Sequence, residues 1–388
     1  MNPSNYISDI VKSIPPSGIR KFFDLVTNAK DIISLGVGEP DFTTPWLIRK
    51  EGIESLDIGR TTYTSNLGLI ELRVAISQFL KSHYDLNYDP ETEMMITVGA
   101  SEAIDLALRC LINDGDEILI PEPSYVSYAP CVTLTRGVPV YVPTDDKNGF
   151  VITPEDLKAK ITSRTKALIL PYPNNPTGAI MKKNELEEIA KVIIENDLIV
   201  ISDEIYSELT YDGTHVSIAS LPGMKERTIL INGFSKAFAM TGWRLGYIAA
   251  LHEFIESMNK IHQYTAICAP IMAQLAAIEG LKNCESDIVK MRKTYDQRRK
   301  LIVKGFRDMG LECFEPKGAF YIFPSIKNTG LSSEEFCQRL LKEQKIAVVP
   351  GNAFGPSGEG YIRVSYAYSI DRITKALERI HEFTSKLL

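Results

Sequence analysis

The chain has 388 residues, 44% hydrophobic and 24% charged, which is a globular composition and too great a length for one hydrophobic core. Two domains are therefore predicted. The net charge is -6 and no block of lysines or arginines stands out, which argues against nucleic acid and anionic membranes as partners.

Cysteines and apolar segments indicate the compartment. The six cysteines are scattered, with no Cys-x-x-Cys pair and no histidine cluster beside them, so neither a metal site nor disulfide bonds are predicted. Residues 1–13 lack the apolar core of a signal peptide. The most apolar stretch, 266–281, is too short to span a bilayer and contains Pro270 and Glu279. These features predict a cytoplasmic protein.

Between residues 94 and 250, short apolar runs alternate with amphipathic helical patterns, two of which cover 102–112 and 184–195. Buried parallel strands read as continuous apolar runs, and the helices between them cover both faces of the sheet. The sequence therefore predicts an α/β fold with a mostly parallel, seven-stranded sheet in a large domain. The seven runs are 94–98, 117–120, 138–142, 167–170, 198–202, 228–231 and 245–250.

After Gly280 the pattern changes to that of a smaller α+β domain. A long charged helix is predicted at 285–309, and the remaining elements are short. The large domain is expected to cover 45–280, and the small domain 1–44 plus 281–388. The short strands are predicted at 311–314, 319–323, 347–349 and 361–366, and the further helices at 332–344 and 370–387.

A lysine turn follows the apolar run 228–231. Lys236 stands in the sequence NGFSKAF (232–238), and Arg244 follows eight residues later. An amine in a sheltered turn can act as a nucleophile, and the planar guanidinium fork suits a phosphate. The pair favours a Schiff base to a phosphorylated aldehyde, although a solvated surface charge is the alternative for any single lysine.

Two further segments lie at predicted strand ends. The run 94–98 leads into small residues at 99–101, where a helix begins, so backbone N–H groups can approach a phosphate. Asp203 ends the run 198–202, at the carboxyl edge where open α/β sheets bind ligands. The alternatives are an ordinary strand–helix turn for the first segment and a helix N-cap for the aspartate.

Polar residues from three other segments complete the set. Asn175 lies in the turn NNPTG (174–178), a common turn sequence in its own right. Tyr206 closes SDEIY (202–206), and a packed aromatic is its alternative. Arg363 lies among apolar neighbours, where a guanidinium can clamp a carboxylate in a bidentate pair; a surface-facing or paired arginine is the alternative.

Taken together, these segments resemble the pyridoxal-phosphate-dependent aminotransferases of fold type I, the aspartate aminotransferase class. The likeness covers nearly the whole chain, and the subgroup it looks most like includes aromatic and N-acetyl-diaminopimelate aminotransferases. The order and spacing of the motifs match that family. The motifs are LGVGEPDF (35–42), the segment around Tyr63, NPTG (175–178), SDEIY (202–206), the segment around Lys236 and YIR (361–363).

The resemblance implies an aminotransferase that uses pyridoxal 5′-phosphate and acts on an L-amino acid and a 2-oxo acid. Lys236, Asp203 and Tyr206 would be catalytic: the lysine forms the Schiff base and moves the α-proton, and the aspartate pairs with the pyridinium. Arg363 and Gly38 would receive the substrate α-carboxylate. The other residues implied in cofactor binding are Ala100, Ser101, Tyr125, Asn175 (which also borders the substrate), Ser235, Arg244 and, across the interface of a homodimer, Tyr63 of the partner subunit.

Two positions bear on affinity and specificity. Many relatives have a serine three residues before the lysine, where Gly233 stands here, so Ser235 is the nearest hydroxyl and one phosphate contact is in question. Some acidic-substrate relatives have a lysine at the place of Ser101. Its absence favours an aromatic or broad-range donor, with 2-oxoglutarate as the usual acceptor. Tyr321 and Phe323 are either side-chain contacts or strand core.

Two other functions fit part of the same pattern. The fold and site of this family also carry out β-elimination of sulfur amino acids, which releases pyruvate and ammonia without an acceptor. A regulator built on an aminotransferase-like domain needs an additional DNA-binding module with a basic recognition helix. Few residues precede Leu35, which argues against the regulator. The aminotransferase is the prediction, and the β-lyase is its alternative.

Overall fold

The computed structural model describes residues 1–16, 18 and 31–388, which contain three β-sheets. The strands are β1 (Ile33–Ser34), β2 (Met94–Thr97), β3 (Glu117–Glu122), β4 (Val138–Pro143), β5 (Thr165–Leu170), β6 (Ile199–Asp203), β7 (Thr228–Gly233), β8 (Gly246–Ala249), β9 (Tyr321–Ile322), β10 (Ile346–Ala347), β11 (Val349–Pro350) and β12 (Ile362–Ser365). The described α-helices are α1 (Asp9–Lys12), α2 (Trp46–Asp57), α3 (Ile70–Tyr84), α4 (Gly99–Leu111), α5 (Tyr128–Leu134), α6 (Pro154–Lys158), α7 (Lys183–Glu195), α8 (His252–Thr265), α9 (Ile271–Asn283), α10 (Glu285–Asp308), α11 (Ser333–Gln344) and α12 (Ile370–Thr384).

The largest sheet has seven strands in the order β2, β8, β7, β6, β5, β3, β4. β8 is antiparallel to both of its neighbours, and all other adjacent pairs are parallel. Every residue of β3 and β7 is buried, as expected for strands that helices cover on both faces. The predicted α/β fold with a mostly parallel seven-stranded sheet is confirmed, and each of the seven apolar runs matches a strand within two residues.

The C-terminal elements build a second core around two small sheets. β11, β12 and β9 form an antiparallel sheet, and β1 pairs with β10 in parallel. Fully buried aromatic side chains of α10, α11 and α12 share this core with Tyr206 and Ala239, which follow strands of the large sheet. The second core therefore reaches the carboxyl edge of the large sheet. The buried aromatic residues of these three helices are Tyr295, Phe306, Phe336 and Phe383.

One predicted strand is wrong, since residues 311–314 form no strand. The carbonyl of Cys313 accepts hydrogen bonds from the Arg307 guanidinium at 3.2 and 3.0 Å, so it is not available to a neighbouring strand. The strand predicted at 347–349 is divided between β10 and β11, because these two strands pair with different partners, β1 and β12.

The division into domains 45–280 and 1–44 plus 281–388 stays a prediction, and part of its first segment (17 and 19–30) lies outside the described residues. Among the described residues, no helix combines the length and the apolarity needed to cross a membrane. The cytoplasmic location also stays a prediction.

Candidate active site

A cavity of about 350 Å³ lies at the carboxyl edge of the large sheet. β2, β3, β5, β6 and β7 run in the same direction, so the segments that follow them meet at this edge. Each of the five strands therefore contributes at least one predicted site residue to the cavity lining. In strand order these are Ala100 with Ser101, Tyr125, Asn175, Asp203, and Ser235 with Lys236.

The Lys236 amine borders the cavity and donates a hydrogen bond to the carbonyl of Gly38 at 2.8 Å. Burial lowers the pKa of this amine from 10.5 to about 8; Glu39 opposes the shift, and Arg363 and Arg244 reinforce it. Roughly a tenth of such an amine is unprotonated at pH 7. Lys236 therefore has the neutral form that a nucleophilic amine needs.

Asp203 is a buried carboxylate at the end of β6, with 6% of its surface exposed. Its oxygens accept hydrogen bonds from the Tyr128 hydroxyl at 2.7 Å and from the Ile205 amide at 3.2 Å. Burial raises the pKa of Asp203, and these two hydrogen bonds oppose the rise. Because burial penalises the charged form, a cation bound in the cavity would stabilise this carboxylate.

Tyr128 was missed by the sequence analysis. It lies three residues after Tyr125, and a turn closed by a hydrogen bond from the Tyr128 amide to the Tyr125 carbonyl at 3.3 Å brings both tyrosines to the same place. Their rings meet edge to face, with centroids 5.5 Å apart. That spacing is the signal that could have identified Tyr128 as the hydrogen-bond donor to Asp203.

Tyr206 and Tyr321 form a hydroxyl pair at the cavity wall, with their oxygens 3.0 Å apart. Gly38 lies against Tyr321 of this pair, and a Cβ atom at this position would lie 2.2 Å from the Tyr321 hydroxyl oxygen. Glycine is therefore required for this close approach. Phe323 does not line the cavity and instead stacks on Tyr361 in the core at 5.1 Å.

An anion-binding corner lies where α4 begins. Gly99 has a φ of +77°, and a Cβ atom there would lie 2.6 Å from Nη2 of Arg244. The guanidinium donates to the carbonyl of Thr241 at 2.9 Å and borders the cavity beside Ala100 and Ser101. A guanidinium beside the N-terminus of a thirteen-residue helix is a suitable place for a phosphate.

Gly233, where many relatives have serine, pairs with Gly246 in the β7–β8 ladder. A Cβ atom at Gly233 would lie 2.9 Å from the carbonyl oxygen of Leu245 and 3.0 Å from Cα of Gly246. Both contacts are with backbone, which cannot move aside as a flexible side chain can. The two strands therefore approach too closely here for a serine without a local shift.

Arg363 is 3% exposed and borders the cavity from β12. Its Nη1 donates to Oδ1 of Asn175 at 2.9 Å, and its Nη2 donates to the Gly36 carbonyl at 2.6 Å. The guanidinium carbon lies 4.5 Å from the ring centroid of Tyr321 and 4.7 Å from that of Phe354. These contacts fix the plane of the guanidinium, as a bidentate carboxylate clamp requires.

Tyr63 is the one predicted site residue that does not line this cavity. Its side chain is 79% exposed, in the loop between α2 and α3.

The other predicted residues all border the cavity. They supply a nucleophilic amine, a buried carboxylate, an anion-binding corner and a fixed guanidinium, which together suit a phosphorylated aldehyde with a cationic ring and a substrate carboxylate.

Comparison with known proteins gives the class of protein that the sequence motifs resemble. Residues 30–380 match the family model described as aminotransferase class I and II. An aspartate aminotransferase of Pyrococcus abyssi is 51% identical, and aromatic-amino-acid aminotransferase 2 of Thermococcus litoralis is 48% identical. Each match covers 379 residues and 97% of both chains. The crystal structure of an aromatic aminotransferase from Pyrococcus horikoshii superposes with a TM-score of 0.91 at 49% identity, covering 95% of this chain and 100% of that one.

The chain belongs to the class I and II aminotransferases. It is accordingly a transferase of amino groups, as the sequence analysis predicts.

Proposed function

We propose that the protein binds pyridoxal 5′-phosphate on Lys236 and transfers the amino group of an aromatic or other bulky L-amino acid to a 2-oxo acid such as 2-oxoglutarate. The observation that carries the proposal is the convergence of the Lys236 amine, the Asp203 carboxylate and the Arg363 guanidinium on one cavity. The lowered pKa of the lysine, about 8, supports Schiff-base formation near neutral pH.

When bound, the cofactor supplies an electron sink for the negative charge left on the substrate Cα. Asp203 would hold a proton on the ring nitrogen, and the hydroxyl of Tyr128 orients the carboxylate for that task. The Tyr206 hydroxyl and the Asn175 amide would hold the ring oxygen.

The other cofactor contacts would come from the edges of the cavity. Tyr125 would stack on the ring face, since it follows β3 and borders the cavity. The corner formed by Ala100, Ser101 and Arg244 would hold the phosphate, with Ser235 as an additional hydroxyl.

Lys236 would then act as the base. Its unprotonated amine would take the proton from the substrate Cα and carry it to the cofactor. The Gly38 carbonyl, which accepts a hydrogen bond from Lys236 at 2.8 Å, would hold the amine near that path. A second oxo acid reverses these transfers, so ping-pong kinetics are expected.

Arg363 would bind the α-carboxylate of every substrate. Its planar fork already donates to Asn175 and Gly36, and two aromatic rings lie within 5 Å of the guanidinium carbon. The Nε atom is buried without a partner among the described residues. A carboxylate is the ligand that such a preorganised guanidinium takes most strongly.

The rest of the cavity lining favours a neutral donor side chain. Its charged members are Asp203, Lys236, Arg244 and Arg363, and each has a role above. The other lining residues are neutral, so the described part of the chain supplies no further cation for a second substrate carboxylate. The second carboxylate of 2-oxoglutarate would rely on hydroxyl donors such as Ser101. The relatives named above include both aspartate and aromatic aminotransferases, so similarity to them does not favour either substrate. The proposal of an aromatic or other bulky donor therefore rests on the neutral cavity lining.

A donor screen tests this assignment. With 2-oxoglutarate as acceptor, kcat/KM for phenylalanine and tyrosine should exceed that for aspartate by about tenfold or more, because the second carboxylate of aspartate would exchange water for neutral hydroxyl donors only, whereas an aromatic ring would bury apolar surface. Alanine and N-acetyl-diaminopimelate complete the series. The same reactions without acceptor are the control, in which pyruvate and ammonia would reveal β-elimination. A clear preference for aspartate contradicts the proposal.

We also propose a homodimer in which the partner subunit's Tyr63 completes the phosphate corner. Within its own chain, Tyr63 is largely exposed and lies outside the cavity. The flanking α2 also exposes Trp46 and Ile53 to more than half of their surface, and their spacing of seven residues places both on one face of the helix, as an apolar interface requires. A second cavity shares Thr241 and Arg244 with the first, and could receive a loop of the partner.

Hybrid dimers test the shared site. Lys236→Ala and Tyr63→Ala proteins are mixed under conditions in which subunit exchange is verified. One site of each hybrid then combines an intact Lys236 with an intact tyrosine from the other subunit. Activity should rise well above that of either variant taken alone through the same exchange. No recovery despite verified exchange contradicts a composite site.

A further inference from the structure

Glu102 ties the start of α4 to a buried histidine. Its Oε2 accepts a hydrogen bond from the backbone N–H of Val98 at 2.5 Å, and its Oε1 lies 2.8 Å from Nδ1 of His262. Val98 is the N-cap residue of α4, and Gly99 and Ala100 follow it directly. The carboxylate therefore connects the turn that leads into the phosphate corner to His262 on α8.

His262 serves as an anchor in this arrangement. It lies on α8 with 0% exposure, and its Nε2 is buried without a partner among the described residues. Because a carboxylate only accepts, the proton between the two side chains is assigned to Nδ1 of His262, which donates to Glu102.

The turn itself needs such support. Gly99 adopts a φ of +77°, and the Arg244 guanidinium occupies the space where a Cβ atom would stand. A glycine at positive φ has more freedom in other conformations than any other residue, so its native path has to be held by neighbouring contacts. Glu102 holds Val98, the residue just before Gly99, and the helix begins at Gly99.

We infer that Glu102 and His262 are positioning residues that aim the backbone N–H groups of Ala100 and Ser101 at the cofactor phosphate. The inference rests on the proposed function, because it requires a phosphate in this corner. Neither side chain lines the cavity, so both act through the turn. The effect should therefore be specific to ligands that carry a phosphate.

The charge of Glu102 makes the inference testable in two directions. A carboxylate near a phosphate dianion weakens phosphate binding, whereas its hydrogen bond to Val98 supports binding by fixing the turn. Glu102→Gln removes the charge and keeps an oxygen acceptor for Val98. Glu102→Ala removes both. A positioning role predicts that the alanine variant binds phosphate less well and the glutamine variant does not.

The experiment compares pyridoxamine 5′-phosphate with pyridoxamine as ligands of the full-length apoprotein. Neither forms a Schiff base with Lys236. The affinity for pyridoxamine 5′-phosphate divided by that for pyridoxamine therefore reports the phosphate corner alone. The ratio should fall about tenfold in Glu102→Ala, the effect of one hydrogen bond to a charged group. It should stay within about twofold of the wild-type value, or rise, in Glu102→Gln.

Three further variants complete the design. His262→Leu should lower the ratio in the same direction as Glu102→Ala, and the double variant should be no worse than Glu102→Ala, because both changes release the same turn. His262→Leu also serves as the test if Glu102→Ala does not fold. Asp105→Asn is the matched control, since this carboxylate lies on α4 but pairs with Arg109 at 2.7 Å. It should leave the ratio unchanged.

Three results would overturn the inference. They are an unchanged ratio in both Glu102→Ala and His262→Leu, an equal loss of affinity for the two ligands, and a loss in Glu102→Gln as large as in Glu102→Ala. If the wild-type apoprotein binds neither ligand, the proposed cofactor fails instead, and the two failures are thus distinguishable.

Discussion

Replacing Lys236 with alanine should lower kcat by about four orders of magnitude, the upper end of what a positioned general base contributes. The variant loses the amine that would move the α-proton, while the carboxylate of Asp203 and the guanidinium of Arg363 remain. Pyridoxamine 5′-phosphate should still bind, because its contacts do not need the amine. Steady-state amino transfer and the affinity for this ligand are the two measurements.

The matched control is Lys225→Ala, since Lys225 is also partly buried but pairs with Glu93 at 3.0 Å, outside the cavity. It should retain near-normal kcat. Lys236→Arg should be as inactive as Lys236→Ala, because an arginine stays protonated and cannot act as a base. A Lys236→Ala protein within about tenfold of wild-type kcat would contradict the role of the lysine.

Replacing Arg363 with alanine should lower kcat/KM by about two orders of magnitude or more for every substrate. Truncating one partner of a buried, hydrogen-bonded charge pair costs roughly 3 kcal/mol or more, which corresponds to this factor. Because Arg363 contacts substrate and not cofactor in the proposal, the affinity for pyridoxamine 5′-phosphate should change little. Kinetics with donor and acceptor and a binding titration measure both effects.

Two variants separate the carboxylate clamp from packing. Arg363→Lys keeps the charge but loses the planar fork, so it should recover only part of kcat/KM. Arg339→Ala is the matched control, because Arg339 also lies over an aromatic ring, that of Phe383 at 5.5 Å, outside the cavity. Near-normal kcat/KM in Arg363→Ala would exclude the carboxylate role.

The meeting of Asp203, Asn175 and Lys236 in one cavity could be predicted from the sequence. Each residue follows a continuous apolar run, and such runs indicate parallel strands whose carboxyl ends share one edge. The same reasoning brought Ala100 and Ser101 to that edge. Sequence period and turn chemistry are local signals, and they suffice here because the sheet itself gathers the strand ends.

Contacts between distant segments could not be predicted in the same way. Tyr321 and Phe354 pack against the guanidinium of Arg363. An aromatic residue in an apolar run is, however, equally well explained as core, and Phe323 is in fact core. The segment 311–314 shows a contact that made a predicted element wrong. Its apolar character predicted a strand, but a side-chain donor, Arg307, takes the backbone carbonyl of Cys313.

The start of α4 could be placed by its small residues but not by its apolar periodicity. The apolar pattern covers only 102–112, whereas the small residues at 99–101 predict a helix start there, and the helix begins at Gly99. The hydrogen bond from Val98 to Glu102 holds this turn, in which Gly99 has a positive φ. Such side-chain support is not visible in hydrophobic periodicity.

The most direct test of the central claim is chemical labelling of the lysine. The protein is incubated with pyridoxal 5′-phosphate, reduced with borohydride, digested and mapped by mass spectrometry. The proposal predicts a yellow protein before reduction and a stable pyridoxyl label on the peptide that contains Lys236, with no label at that peptide in Lys236→Ala. A label confined to another lysine, or no label on any peptide, would contradict it.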